Sequence, residues 1–301
     1  MKIGRKAVVT DTGRRRLGNE DAYVFEPPLF AIADGMGGAR AGEIAAGLAA
    51  AALEERGADA DGVDGLASVI AEANRRIWER SLADPATTGM GTTVTVALVD
   101  EAGERVLFGH VGDSRAYRLR GDTLEQVTTD HSLVAELVES GVLTPEEAER
   151  HPQRSAITRA LGTEPAVEAD VFTIDADPGD LFLLCSDGLS DMLTEDEIAE
   201  ALEAADRDPQ AAGAALVAAA NSRGGDDNIT VVLFEIVADD AEEPSVPTEP
   251  EAATTLPDER AEEQASLRRH GAGPGGRLAA LVLILTVLGI AALVLYWGIT
   301  R

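Results

Sequence analysis

Acidic residues fall repeatedly where apolar runs end, and most of them stand beside glycine. Asp34 opens Asp34-Gly-Met-Gly-Gly38, Asp187 sits in Ser186-Asp-Gly-Leu189, and Asp113 sits in Gly112-Asp-Ser114. Asp227 belongs to Gly224-Gly-Asp-Asp-Asn-Ile229, and Glu20 and Asp21 stand just before the run Ala22–Phe25. One acid in such a place is an ordinary turn former. Several together have a different meaning, because glycine lets backbone approach a ligand closely and leaves its carbonyl free. Should these ends converge, the carboxylates would repel one another severely unless cations sat among them. All-oxygen ligation suits Mg²⁺ or Mn²⁺. The four histidines, His110, His131, His151 and His270, are scattered, which argues against zinc.

The elements that must position these acids can be read from the pattern of apolar residues. Strands are expected at Ala7–Thr10, Ala22–Phe25, Leu29–Ala33, Thr92–Val99, Arg105–Val111, Ala116–Leu119, Val171–Ile174, Leu181–Cys185 and Ile229–Ile236. Helices are expected at Glu43–Arg56, Gly65–Leu82, Glu195–Ala204 and Gln210–Ser222, the third capped by Thr194. Hairpins dominate and the helices come in adjacent pairs. That arrangement favours an α+β fold of antiparallel sheets covered by helices over a doubly wound parallel sheet.

Six stretches, in order, resemble the type-2C metal-dependent serine/threonine protein phosphatases in their compact bacterial form. They are Thr10-Asp-Thr-Gly-Arg-Arg-Arg-Leu-Gly-Asn-Glu-Asp21, Ala33-Asp-Gly-Met-Gly-Gly38, Gly91-Thr-Thr93, Gly109-His-Val-Gly-Asp-Ser-Arg115, Ser186-Asp-Gly188 and Asp227-Asn-Ile-Thr230. The resemblance covers about residues 5–237. It implies a four-layer α/β/β/α sandwich of two antiparallel sheets flanked by helices. It also implies a centre of two Mg²⁺ or Mn²⁺ ions, with a third in bacterial members. Asp34 would bridge two ions, the Gly35 carbonyl would bind one, and Asp187 and Asp227 would hold the second. Asp113, with Asp187, would bind the third ion, and Glu20 and Asp21 would act through water. Arg16 stands four residues before Glu20, where the family places its phosphate-binding arginine, while Arg14 and Arg15 read as a solvated basic turn. Asp227 rather than Asp226 is the expected ligand because it directly precedes Asn228. The implied reaction is hydrolysis of phosphoserine and phosphothreonine in proteins, with a metal-bridging water attacking phosphorus in line.

Met36 stands where many eukaryotic members carry a histidine proposed as general acid, and a thioether cannot donate that proton. His131, in Asp130-His-Ser132, and His151, before Pro152, are the alternative candidates, with packing or turn roles set against them. Residues 131–158 are expected to form the flap of bacterial members. Cys185 is the only cysteine, in the apolar run Asp180-Leu-Phe-Leu-Leu-Cys185, so it reads as a core thiol. A thiol phosphatase would need arginine six residues on, and Asp191 stands there.

Composition divides the 301 residues into zones. Residues 1–238 are the expected catalytic domain. Residues 239–276 read as an acidic, proline-rich disordered linker, with ten acids and one arginine between Asp239 and Glu263. The remainder, 277–301, is the expected membrane anchor. Leu278–Thr300 is 23 residues without a charge. As a helix it would span about 34 Å, against a hydrocarbon core of about 30 Å. Tyr296 and Trp297 suit an interface, and Arg268, Arg269 and Arg277 before the span place the large N-terminal part in the cytoplasm. Met1-Lys-Ile-Gly-Arg-Lys6 leads into no long apolar run, so no secretory signal is expected. A net charge of −29 excludes nucleic-acid binding through a basic surface. The expected partners are phosphoproteins, membrane-bound Ser/Thr kinases that the chain would oppose, and the bilayer itself. A narrow regulator of one partner, of the anti-sigma-antagonist kind, is the second reading, and a non-catalytic phosphoprotein-binding scaffold the third.

Overall fold

Strands buried on both faces carry apolar residues without interruption, and this explains the runs at Leu29–Ala33, Leu181–Cys185 and Ile229–Ile236. The computed structural model describes residues 1–37, 41–148 and 150–239. In chain order it contains β1 (Lys2–Asp11), β2 (Asp21–Glu26), β3 (Leu29–Met36), α1 (Ala41–Arg56), α2 (Gly62–Ala83), β4 (Gly91–Thr92) and β5 (Val94–Asp100). Then come β6 (Arg105–Val111), β7 (Arg115–Arg120), β8 (Thr123–Gln126), α3 (Leu133–Glu139), α4 (Pro145–Ala148) and β9 (Asp170–Asp175). The last elements are β10 (Leu181–Cys185), α5 (Asp187–Ser190), α6 (Glu195–Ala204), α7 (Pro209–Ser222) and β11 (Ile229–Val237).

Two antiparallel sheets result, in the orders β1-β11-β10-β7-β8 and β2-β3-β5-β6-β9, with β4 paired to β3. Alternate residues of each strand serve different layers. Phe30, Ile32 and Phe108 of one sheet meet Phe182, Leu184, Val232 and Phe234 of the other. Phe30 and Phe234 stack with ring centroids 4.4 Å apart. The neighbours Leu29, Ala31 and Ala33 turn outward onto α1 and α2. Leu181, Leu183, Cys185, Val231 and Leu233 pack with α6 and α7. Each Val, Leu, Ile or Phe among them stabilises the fold by about 1.5–3 kcal/mol on burial. The layers are therefore α/β/β/α, as the family resemblance implies.

Register places the loops. Asp11 pairs with Ile229 and Cys185 with Val231. In the other sheet Asp21 pairs with Asp34 and Val94 with Val111. The ends of β1, β3, β6 and β10 and the starts of β2 and β11 thus gather at one end of the sandwich.

The strand expected at Thr92–Val99 is broken at Thr93. There the backbone N–H of Thr93 donates to Asp34 O (2.9 Å) and its hydroxyl accepts from Asp34 N–H (3.0 Å). Strand β8 and helices α3, α4 and α5 were not expected. They are only four to seven residues long, too short for a periodic pattern to emerge. Helix α6 has the expected bounds, and Thr194 with Glu197 forms a full capping box. The expected linker and the membrane span Leu278–Thr300 lie outside the described residues, Asp239 apart. Among the described residues no helix is long and apolar enough to cross a membrane.

Candidate active site

Each predicted acid is held by the element that ends beside it. Asp34 lies near the end of β3, its backbone fixed on both sides by Thr92 and Thr93, whose groups bond its carbonyl and N–H. Gly35 follows, with α1 pressed against it: a Cβ there would stand 2.3 Å from the Gly42 carbonyl oxygen. Only glycine fits, so the sequence Asp-Gly is a packing requirement as well as a possible source of a free carbonyl. Asp187 opens α5 immediately after β10, and Asp113 stands in the turn between β6 and β7. Asp21 begins β2, opposite Asp34 in register.

Asp34, Asp187, Asp113 and Asp21 come together across the two sheets. The Asp34 and Asp187 carboxyls are close enough to share a hydrogen bond. Burial, with Asp187, Asp21 and Asp113 nearby, pushes Asp34 well above the usual carboxylate range. Burial and the charges of Asp113, Asp191 and Asp227 do the same to Asp187. Asp113 is raised to about 7 by burial and by Asp130 and Asp191. Asp21 is raised to about 6, chiefly by burial, although Thr230 Oγ1 (2.6 Å) and Ser186 Oγ (2.9 Å) both donate to its Oδ2.

Arg16 brings Asp227 and Glu20 into the group. Its Nη2 donates to Asp227 Oδ2 at 2.5 Å, and its Nη1 lies 4.0 Å from Glu20. Asp226 points the other way, onto Arg15 at 3.0 Å. That separation supports Asp227 over its neighbour. The Arg14 side chain lies 4.0 Å from Asp11, while its backbone N–H donates to the Gly225 carbonyl at 2.7 Å.

Among the described residues, no three His, Cys, Asp or Glu side chains are placed to hold a metal ion as they stand. The donor set nevertheless fits hard divalent cations. Asp187 Oδ1 and Asp21 Oδ1 are buried oxygens without a hydrogen-bond partner. Buried polar atoms are rarely left so. Unpartnered carboxylate oxygens and mutual repulsion among buried acids are the donor chemistry that hard divalent cations require.

Several residues that shape the site were not read as such. Asn228 ties three segments together: its Oδ1 accepts from Glu20 N–H (2.7 Å), and its Nδ2 donates to the carbonyls of Thr12 and Gly18 (both 2.9 Å). Asp191 joins the acids because a helical turn sets it over Asp187, its N–H donating to the Asp187 carbonyl at 2.7 Å. The i, i+4 spacing was the available signal. Ser155 Oγ donates to Asp191 Oδ2 at 3.1 Å, which brings the 131–158 segment against the site.

Neither candidate general acid stands free. His131 is buried, with Gly112 N–H donating to its Nδ1 (3.0 Å) and its Nε2 facing Asp170 (3.2 Å). His151 uses its Nδ1 to accept from Gln153 N–H in its own turn. Met36 offers no proton. Cys185 is in the core, its thiol pushed up to about 12 by burial, and it is no nucleophile.

Comparison with known proteins decides the family. The profile of Protein phosphatase 2C matches residues 14–213. The chain belongs to the protein phosphatase 2C family. It is 44% identical over 238 residues to the serine/threonine protein phosphatase PstP of Mycobacterium tuberculosis, covering 77% of this chain but 45% of that protein. The chain thus spans about half the length of PstP. It is 40% identical to the serine/threonine phosphatase stp of Listeria innocua, covering 75% of this chain and 93% of the relative. Among solved structures, the M. tuberculosis phosphatase PstP/Ppp superposes with a TM-score of 0.75 at 40% identity, covering 79% of this chain and all of that one (100%). A structure of the PstP catalytic domain in complex with two manganese ions gives a TM-score of 0.72 at 38% identity, covering 78% and 99%.

Proposed function

We propose that this protein phosphatase 2C member hydrolyses phosphoserine and phosphothreonine in proteins. The observation that carries the reading is the convergence of Asp34, Asp187, Asp113 and Asp21, with two buried carboxylate oxygens left unpartnered, beside the guanidinium of Arg16.

Asp34, Asp187 and Asp227, with the Gly35 carbonyl, would hold two Mn²⁺ or Mg²⁺ ions, and Asp113 with Asp187 a third. When bound, such ions supply Lewis acidity that activates water and screens phosphoryl charge. The chain's own residues do the rest. Arg16, which lies beside Asp227, would take phosphoryl oxygens in its planar fork. Asp21, whose Oδ1 is buried without a partner, and Glu20 would orient water. Thr92 and Thr93 keep Asp34 from turning away. No side chain is assigned as general acid: His131 is held at both ring nitrogens, and His151 is described only through the bond its Nδ1 accepts from Gln153 N–H.

Hydrolysis of p-nitrophenyl phosphate and of phosphoserine peptides tests this. Activity should require Mn²⁺ or Mg²⁺, vanish in EDTA, and vanish in Asp34→Ala and Asp227→Ala. Full activity in either variant would overturn the metal assignment. Hydrolysis confined to one phosphoprotein would favour the narrow regulator instead.

We further propose that Leu278–Thr300 anchors the chain in a membrane with the phosphatase domain in the cytoplasm. Its 23 uncharged residues and the arginines before it support this. Sharing a bilayer with membrane-bound Ser/Thr kinases would raise the effective concentration of common substrates. A carbonate-washed membrane fraction should retain the chain, and a variant ending at Gly276 should be released.

A further inference from the structure

His131 is a buried side chain near the site that the proposed reaction does not use, held at both ring nitrogens. It lies under the turn that presents Asp113, with 7% of its side chain exposed. Two bonds tie it to one residue of that turn. Its backbone N–H donates to the Gly112 carbonyl at 2.7 Å, and Gly112 N–H donates to its ring Nδ1 at 3.0 Å. Gly112 needs this support. Its φ is +113°, and Thr93 occupies the space where a Cβ would be, so the turn is held by backbone bonds and not by a side chain of its own.

Nδ1 accepts, so the neutral ring carries its proton on Nε2. That N–H faces Asp170 Oδ2 at 3.2 Å. Arg159 donates to Asp170 Oδ1 at 2.8 Å and to the Glu168 carbonyl at 3.1 Å, and the same Nη1 lies 3.1 Å from His131 Nε2. The Asp170 carboxylate, at the start of β9, therefore receives both the histidine and the arginine. The His131 carbonyl accepts from Thr158 N–H at 2.8 Å, and Ser132 bridges to Ile157. The same histidine thus fixes the Asp113 turn above it, the edge strand beside it, and the root of the 131–158 segment.

Resting on the proposed phosphatase function, we propose that His131 is a positioning residue for Asp113: it latches the Gly112–Asp113 turn to Asp170 and to the base of the 131–158 segment. It moves no proton in the reaction. An acid catalyst needs an N–H that reaches the leaving group, and His131 Nε2 is enclosed by Asp170 Oδ2 and Arg159 Nη1. Hydrogen-bonded partners of this kind behind a metal-binding group typically change metal affinity by about 10–100-fold when removed.

The full chain labelled with ¹⁵N-histidine gives four ring systems to resolve. In metal-free protein His131 should show the Nε2–H tautomer. An Nδ1–H tautomer would leave Gly112 N–H without its acceptor and overturn the latch. Hydrogen exchange should be slow across peptide 109–115, fast in His131→Ala, and slow again in His131→Asn, whose amide oxygen can replace Nδ1. Unchanged exchange in His131→Ala would also sink the proposal. Mn²⁺ binding followed by calorimetry should weaken about 10-fold in His131→Ala for the site that includes Asp113. Asp170→Asn should weaken it less, and as a half-exposed position it serves if His131→Ala fails to fold. With aryl phosphates of increasing leaving-group pKa, His131→Ala should lose rate uniformly and recover it in excess Mn²⁺. A loss concentrated on poor leaving groups would instead make His131 the proton donor. Should the wild-type chain hydrolyse nothing while the tautomer and exchange results hold, the functional reading fails and the latch stands.

Discussion

Strand β10 has an aspartate just beyond each end, and the protein treats the two in opposite ways. Asp180 precedes the strand and is 1% exposed. Arg120 grips it with two bonds, Nε to Oδ1 at 2.7 Å and Nη2 to Oδ2 at 2.6 Å, and Asp177 N–H adds a third at 2.9 Å. Asp187 follows the strand, and its buried Oδ1 has no partner. Around it stand Asp34, Asp113, Asp191 and Asp227. The arginines of the chain are not scarce. Arg5 lies with Glu235 and Asp208, and Arg76 with Glu72 and Glu55. A buried acid matched by arginine is a structural device, whereas one left among other acids fits the cation site proposed above.

Replacing the two aspartates should break this comparison most sharply. Asp187→Ala should lower hydrolysis at least about 100-fold, while metal-free thermal stability holds or rises as repulsion is relieved. Asp180→Ala should cost about 2–3 kcal/mol in urea unfolding, the worth of hydrogen bonds to a charged partner. Its hydrolysis per folded molecule should stay within about twofold of the parent, since nothing near the phosphoryl site changes. Equal activity losses in the two variants would erase the distinction.

Metal should separate the same pair by a smaller margin. A ligand present at 100 times its dissociation constant stabilises by about 2.7 kcal/mol, a rise of roughly 5–10 °C in midpoint for a domain of this size. Mn²⁺ should give that rise in the parent and in Asp180→Ala, and EDTA should abolish it. In Asp187→Ala the rise should largely disappear. A full rise there would move the cation site away from Asp187.

The difference between the two ends of β10 is only half legible in the sequence. Asp187-Gly and Asp34-Gly announce themselves through glycine, and the long runs Leu181–Cys185 and Ile229–Ile236 reveal buried strands. Nothing local in Asp180 tells that Arg120, 60 residues away, will satisfy it. Long-range pairing also hid the role of Asn228, which stitches Thr12, Gly18 and Glu20 together from more than 200 positions along the chain. The break at Thr93 escaped notice for the same reason. Alternation alone runs straight through it, and only the bonds to Asp34 stop the strand. Motif order named acids that the strand ends bring together, but the contacts of His131 depend on Gly112 and Asp170 meeting in space.

The finest test of the comparison is the pH dependence of stability. Burial raises Asp113 to about 7 and Asp21 to about 6, with Asp34 and Asp187 raised well above the carboxylate range. Raised acids hold their protons better in the folded state. Their contribution is complete below the unfolded value of about 4 and is lost as pH climbs through about 6 to 7. His110 and His131 act in the opposite sense, since burial lowers both, His110 to about 4. Their contribution is present above about 6.5 and is lost as pH falls, for His110 through about 4. Four acids outweigh two histidines, so the midpoint in EDTA should fall between about pH 4.5 and 7.5, and Asp113→Asn should flatten the upper part of that fall. Saturating Mn²⁺ should reverse the slope, because cations bind the deprotonated carboxylates and are displaced by protons. A midpoint that rises with pH in EDTA as well would mean that the acids at this end of β10 are as well satisfied as Asp180 at the other.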